Sequence, residues 1–279
     1  MDERRDASLS AFAREVDRPE ADIDVARAAL VMARMAYPDL DVPTQLLRLD
    51  RIAEAAPAGC RQGDALGRLH RLREYLFGDA GFAGNREDYY DPRNSFLNDV
   101  LDRRVGIPIT LCLVLVEVGR RLGLTLEGVG LPGHFVARMR LADSQILLDP
   151  FDGGAILTPD ACADLVERAV GQRVPLSDDA FAPVSRRQLL ARMLNNLKGI
   201  YWRREEWARV IAVIDRLLAL DPAAAAERRD RGVALAQLGD YGQGVADWER
   251  YLAEAPNAPD GDRVRAQLRR ARLKMAELN

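Results

Sequence analysis

His134 and Asp149 are the residues from which chemistry can first be read. His134 opens one run of alternating apolar and polar residues, and Asp149 closes the next, fifteen positions on. A carboxylate hydrogen-bonded to one imidazole nitrogen fixes the tautomer and direction of the ring, so that the other nitrogen can serve as a general base. A nucleophile would complete the set. Gly130, Pro132 and Gly133 precede the histidine and would clear space beside it. The structural alternative is a histidine at a strand end and an aspartate that starts an Asp-Pro turn, and spacing alone leaves both open.

The elements that must hold this pair lie between about 94 and 154. Asn94 and Ser95 are good N-cap types for a short helix over 96–104. A longer helix begins at Pro108, a residue suited to a first helical turn because its missing N–H would have no partner there. Leu111, Leu113, Val114, Leu115, Val116 and Val118 leave this helix almost no polar face, which predicts a central, buried position. After Gly123 the period becomes two. Strands are expected over 125–129, 134–141 and 145–148, with a turn at Ala142-Asp143-Ser144. In the second strand Phe135, Ala137, Met139 and Leu141 share one face, and His134, Val136, Arg138 and Arg140 the other. The result is an α+β domain, helices on a small antiparallel sheet. Upstream, residues 1–76 read as helical, with one helix over 65–77 ended by Gly78 as a C′ glycine. His70, on that helix, lies away from most of its apolar residues.

The last third follows another rule. Shifted by 34 residues, Trp207 falls on Tyr241, Ile214 on Trp248, Leu218 on Leu252 and Pro222 on Pro256. A period of that length, two helices closed by proline, is the tetratricopeptide (TPR) signature. Repeats are expected over about 190–222 and 224–256, with a capping helix over 259–278. Two repeats are few for a free-standing solenoid. The segment SDDAFAP, within 175–185, reads as the connection between the domains.

Composition bounds the rest. At 48% hydrophobic and 30% charged residues, the 279-residue chain is ordinary soluble globular protein, long enough for two modest domains. A net charge of −3 gives no basic face for nucleic acid. Lys198 and Lys274 are the only lysines, a coding bias more than a phosphate-binding device. Three cysteines and two histidines at wide spacing build no structural metal site, and no cofactor motif is present, so neither metal nor cofactor is expected. The opening MDERRDASLSAF lacks an apolar signal core, and the longest apolar run, 107–116, is about half a membrane span. The expectation is a reduced, cytoplasmic protein with no membrane partner.

The words LFGDAGFAGN, DYYDPRNSFLNDVLDRRVGIPITL, GVGLPGHF and LLDPFDGG resemble the SirB-type transglutaminase-like family, whose bacterial members commonly carry C-terminal TPR repeats. The resemblance implies a papain-like core spanning about 76–157. In that core a cysteine at the N-terminus of a central helix faces a His and an Asp on the sheet. It divides the chain into a transglutaminase-like domain with a helical N-terminal extension, 1–180, and an all-α TPR domain, 186–279. In the wider pattern the cysteine follows a glycine by two positions and precedes the Leu-Gly at the helix end by about fifteen. Counted from Gly106 and from Gly123, both rulers reach Pro108. The His-to-Asp interval is kept by His134 and Asp149, while the nucleophile position holds a side chain with no reactive group.

Three residues could substitute. Cys112 lies one turn further along the helix, where burial would keep its thiol protonated and the helix dipole no longer helps. Thr110 is nearer the helix start and could be activated by His134, although a first-turn hydroxyl more often bonds to backbone. Ser95 is more simply a cap. Asn94, Ser95, Asn98, Pro108 and Gly133 are expected to line the cleft. The functional expectation is a protein- or peptide-binding module that presents the cleft and the TPR surface to its partner. The alternative is an acyl-transfer or hydrolytic enzyme acting on peptide amides through His134 and Asp149 with Thr110, Cys112 or water.

Overall fold

The computed structural model describes residues 2–278 except 143. Its contacts divide the chain into two compact units, Pro19–Met193 and Met1–Arg18 together with Leu194–Asn279. The boundary expected near 180–186 therefore differs from the division into units at both ends. The first helix, α1 (Asp2–Val16), belongs with the C-terminal third.

In the larger unit, α2 (Val25–Ala33), α3 (Val42–Glu54) and α4 (Ala65–Glu74) come first. Each is capped by an aspartate, Asp24, Asp41 or Asp64, that accepts a backbone N–H three residues on. α4 does not stop at Gly78. It runs on into a wide turn over Tyr75–Asp79, and the left-handed residue that ends it is Gly81, with φ 72°. A two-stranded parallel ladder pairs β1 (Ala83–Gly84) with β2 (Val105–Gly106). Between them lie a 3₁₀ turn, Pro92–Ser95, and α5 (Leu97–Arg103). Asp91 caps the turn and Phe96 occupies the N-cap position of α5, so Asn94 and Ser95 are not the caps of that helix; both are fully buried instead.

α6 (Pro108–Arg121) is the central helix, with eleven of its fourteen residues buried. Its one buried charge, Glu117, is held by Arg120 at 2.9 Å and Arg121 at 2.6 Å. Then follow β3 (Leu126–Leu131), β4 (His134–Arg140), β5 (Gln145–Asp149) and β6 (Ala155–Leu157), an antiparallel sheet in sequence order. The register sets Leu131 opposite His134 across a two-residue turn, Ala137 opposite Leu148, and Asp149 opposite Ala155. At the β4–β5 turn, the Leu141 N–H donates to the Ser144 carbonyl at 2.8 Å; Asp143 lies outside the described residues.

α6 packs across β3 and β4, with the Leu126 side chain seated where a Cβ on Gly119 would stand. The opposite face is covered by α7 (Pro159–Val170), whose Cys162 and Val166 join Val129, Leu131, Val136, Leu147 and Phe181 in one apolar cluster. Val136, expected on the polar side of β4, is therefore fully buried, because this sheet is sandwiched and not half-solvated. The stretch 175–185, expected as a connection, is tied to this sheet. Phe181 fills the cluster, Val184 donates its N–H to Gly128 O at 2.9 Å, and Pro183 bridges Val129.

The second unit takes α1 and the region that begins within α8 (Arg186–Arg203), followed by α9 (Trp207–Leu220), α10 (Ala225–Gln237), α11 (Tyr241–Glu254) and α12 (Gly261–Leu278). α1 packs on α9. Phe12 and Val16 are fully buried, and Ser8 Oγ accepts from the buried Arg216 at 2.8 Å. The helix pairs have the expected period. The turns within the two helix pairs, α8–α9 and α10–α11, match across 34 residues: Glu205 and Gly239 both have positive φ, 55° and 82°. Glu206 N–H donates to Tyr201 O at 2.9 Å, and Asp240 N–H to Leu235 O at 3.0 Å. Trp248, Tyr251, Val264 and Leu268 form the apolar core of this end, and the Trp248 indole donates to Arg229 O at 3.1 Å.

Candidate functional site

β4 and β5 bring His134 and Asp149 together. His134 begins one strand and Asp149 ends its antiparallel neighbour, so the fifteen residues between them fold back on themselves. His134 Nε2 lies 3.0 Å from Asp149 Oδ2. Asp149 is held in turn, its Oδ1 accepting the Phe151 N–H at 3.0 Å. A carboxylate only accepts, so Nε2 carries the hydrogen of that bond, which makes Nδ1 the acceptor in the neutral form of the ring. Among the described residues Nδ1 has no hydrogen-bond partner. The side chains are 11% and 2% exposed, so the aspartate is sealed and the imidazole reaches the surface by one edge.

That edge opens into a cavity of about 430 Å³. Its walls come from three places: the 86–90 loop with Arg86, Tyr89 and Tyr90; the start of β4 and end of β5 with Phe151 and Asp152; and the last turns of α7 with Leu165, Arg168 and Ala169. The aromatic side is a chain of edge-on contacts, Tyr90 to Tyr89 at 5.3 Å, Tyr89 to Phe151 at 5.8 Å and Phe151 to His134 at 6.3 Å. Burial pushes the Tyr89 hydroxyl above its ordinary value, so it stays a neutral donor near neutrality. Gly133 is required by geometry. It turns with φ 68°, and a Cβ there would stand 2.7 Å from the Ala169 methyl.

Two residues position this site through contacts that the local sequence does not show. Arg192, on α8, donates through one nitrogen to Leu131 O and to His134 O, both at 2.8 Å, and lies over the Phe135 ring at 5.3 Å. It clamps the two ends of the turn that aims His134. Burial lowers its pKa, yet an arginine remains charged. Asn94 is the second. Its amide donates to Asp88 O at 2.7 Å and Tyr89 O at 3.2 Å, and its oxygen accepts from Asn85 at 3.1 Å. It ties down the loop that carries the tyrosines and does not itself line the cavity. An Asn before a helix start pointed to a cap; only the tertiary contacts distinguish a cap from a loop anchor.

The remaining sequence candidates lie elsewhere. Pro108, Thr110, Cys112, Ser95 and Asn98 are buried and outside the cavity lining. Thr110 Oγ1 donates to Asn94 O at 2.7 Å and accepts the Ile107 N–H at 3.2 Å, so the hydroxyl ties the start of α6 to the Asn94 turn. The Cys112 thiol is fully buried against Val136 O at 3.5 Å, and desolvation pushes its pKa far up, with Asp149 adding to the rise. Cys162 is raised to about 11, also chiefly by burial. Ser95 Oγ and Asn98 Oδ1 are buried without hydrogen-bond partners. Among the described residues no group of three or more His, Cys, Asp or Glu could hold a metal ion, and no helix is long and apolar enough to cross a membrane. A larger cavity of about 750 Å³, lined by parts of 22–25, 113–128 and 183–189, contains neither His nor Cys.

A buried helix packed on a small antiparallel sheet, with a His–Asp pair at adjacent strand ends, defines a papain-like, transglutaminase-like core. Comparison with known proteins agrees. The profile of the transglutaminase-like superfamily matches residues 44–195, and a tetratricopeptide repeat profile matches 197–269. A UPF0162 protein of Xylella fastidiosa strain Temecula1 is 37% identical over 245 residues, covering 86% of this chain and 87% of that one. A UPF0162 protein of Vibrio cholerae is 27% identical over 248 residues, with coverage of 88% and 92%. F-box only protein 21 of Mus musculus is 35% identical over 140 residues, 47% of this chain and 21% of that protein. The chain belongs to the transglutaminase-like superfamily, as a SirB-type member with C-terminal TPR repeats.

Proposed function

We propose that this protein is a peptide- or protein-binding module, in which a transglutaminase-like cleft retains the His134–Asp149 pair without a working nucleophile and the repeats offer a second surface to the partner. The observation that carries the reading is the start of α6. Pro108 stands at the position that the family pattern gives to cysteine and is the first residue of the helix. None of the three side chains that could replace the missing thiol is available: Thr110 is held in backbone hydrogen bonds, Cys112 lies in the core, and Ser95 is fully buried outside the cavity lining. A thiol kept protonated by burial is a poor nucleophile.

The opposing reading, a hydrolase that uses water, has one observation in its favour. His134 lines a cavity large enough for a peptide side chain, and its ring is oriented by a sealed carboxylate. The two readings separate in a single assay. The purified protein is incubated with a fluorogenic peptide amide and, separately, with a glutamine peptide and a labelled amine. The binding reading expects turnover at the buffer rate, unchanged in His134→Ala. A rate that falls at least tenfold in His134→Ala would establish catalysis and end the binding-only reading.

A further inference from the structure

Granting the peptide-binding reading, we infer that the cavity beside His134 selects a carboxylate on its ligand, seated against the Arg168 guanidinium with the aromatic wall of Tyr89, Tyr90 and Phe151 alongside. Arg168 lines the cavity from the last turn of α7 and takes part in no ion pair among the described residues. The acidic residues of its own helix nearest to it are directed elsewhere, Asp164 and Glu167 both toward Arg173, at 3.8 and 3.6 Å. The two carboxylates on the cavity wall are engaged as well. Asp149 faces His134 at 3.0 Å, and Asp152 faces Arg86 at 2.6 Å.

A third cation lies behind the wall. Arg192, half-buried, spends its hydrogen bonds on two carbonyls and has no carboxylate within ion-pair distance among the described residues. Interactions in such a partly enclosed space are screened less than at the open surface, so its charge adds to the field that an entering anion meets. Arg86 contributes conditionally: both members of its pair are more than 60% exposed, so the pair can open at little cost, while the guanidinium remains over Phe151 at 5.1 Å. The cavity thus offers one unpaired arginine at its mouth, a second that can be released, an imidazole edge, and aromatic faces for the ligand's apolar part. A carboxylate meets these groups with charge-assisted hydrogen bonds; an ammonium would meet repulsion, and a neutral amide would forgo the charge.

A peptide can supply that carboxylate from an acidic side chain or from its C-terminus. Three probes distinguish the sources: acetyl-Ala-Ala-Glu-Ala-Ala-amide, acetyl-Ala-Ala-Gln-Ala-Ala-amide, and the glutamine peptide with a free C-terminal carboxylate. The chain has only two histidines, so the imidazole signals of His134 and His70 can be followed separately by NMR during titration of the full-length protein. The expected result is that at least one carboxylate probe moves the His134 signals with a Kd about tenfold lower than the neutral probe, the size of a charge-assisted contact. Arg168→Gln removes the gain and Arg168→Lys retains part of it. Which carboxylate probe gains identifies the source. Equal affinity for all three probes, or a gain that survives Arg168→Gln, overturns the inference and leaves peptide binding standing. No movement of the His134 signals with any probe overturns both.

Discussion

A protonated thiol is the sharpest residue-scale consequence of this structure. All three cysteines are buried and free, and Cys112 is enclosed on every side. A thiol-reactive reagent added to the native protein near neutral pH should therefore label Cys112 only as fast as the protein unfolds, while full labelling follows at once in denaturant. Rapid native labelling of Cys112 that is lost in His134→Ala would show an activated thiol and contradict the burial argument. The same burial sets a pH dependence. The folded-state pKa of Cys112 lies above its ordinary value of 9.0, so the neutral thiol is favoured by folding. That contribution is complete below the unfolded value and declines as pH rises beyond it, because only the unfolded chain then gains by ionising. Stability by urea denaturation should fall progressively above about pH 9, and the slope should be shallower in Cys112→Ala, which is less stable at pH 7 by about 2 kcal/mol for the lost packing.

Elements decide where these residues point, and here sequence and structure part company in instructive places. The His–Asp pair was legible because a period-two pattern with one short turn leaves a single hairpin, and a hairpin brings its far ends into register. α6 was legible because no polar face leaves a helix only the interior. The loop anchors were not. Asn94 reads as a cap in any local window, yet four groups from 85 to 103 converge on it in three dimensions. Arg192 is more than fifty residues from the carbonyls it holds, and no spacing rule reports such a contact. The expected consequence of Asn94→Ala is a loss of about 2 kcal/mol, since the carbonyls at 88 and 89 lose their donor and a fully buried side chain is cut back. Chemical denaturation measures that loss, and amide exchange at 86–90 should rise more than exchange in α6. A variant in which the loop exchanges as slowly as in the parent would show that the tyrosine wall is held by its own packing. Arg192→Met should broaden or shift the His134 ring signals while leaving the His70 signals in place, because the clamp on the 131–134 turn is gone.

At the scale of the whole molecule, the 34-residue period is the feature that sequence and structure share most fully, and it exposes a position where this chain departs from its own rule. Both inter-helix turns end in a backbone conformation with positive φ, and both close with the same hydrogen bond from the residue after it to the fifth residue before. In the second repeat that position is Gly239; in the first it is Glu205, at φ 55°. A side chain in the left-handed region carries a steric cost of about 1 kcal/mol or more, and glycine carries none. Glycine in turn gives the unfolded chain more freedom, which returns about 0.5–1 kcal/mol. The steric term is the larger of the two, since the conformation is already imposed by the turn. Glu205→Gly is therefore expected to stabilise the C-terminal unit by a few tenths of a kcal/mol to about 1 kcal/mol, and Glu205→Asn by a similar amount with less entropy lost, because asparagine tolerates this region. The mirror change, Gly239→Ala, should destabilise by about 1 kcal/mol or more. Thermal and urea melts of the three variants make the comparison. If Glu205→Gly lowers stability while Gly239→Ala also does, the carboxylate of Glu205 contributes something its twin does not need, and the two turns are equivalent in backbone only.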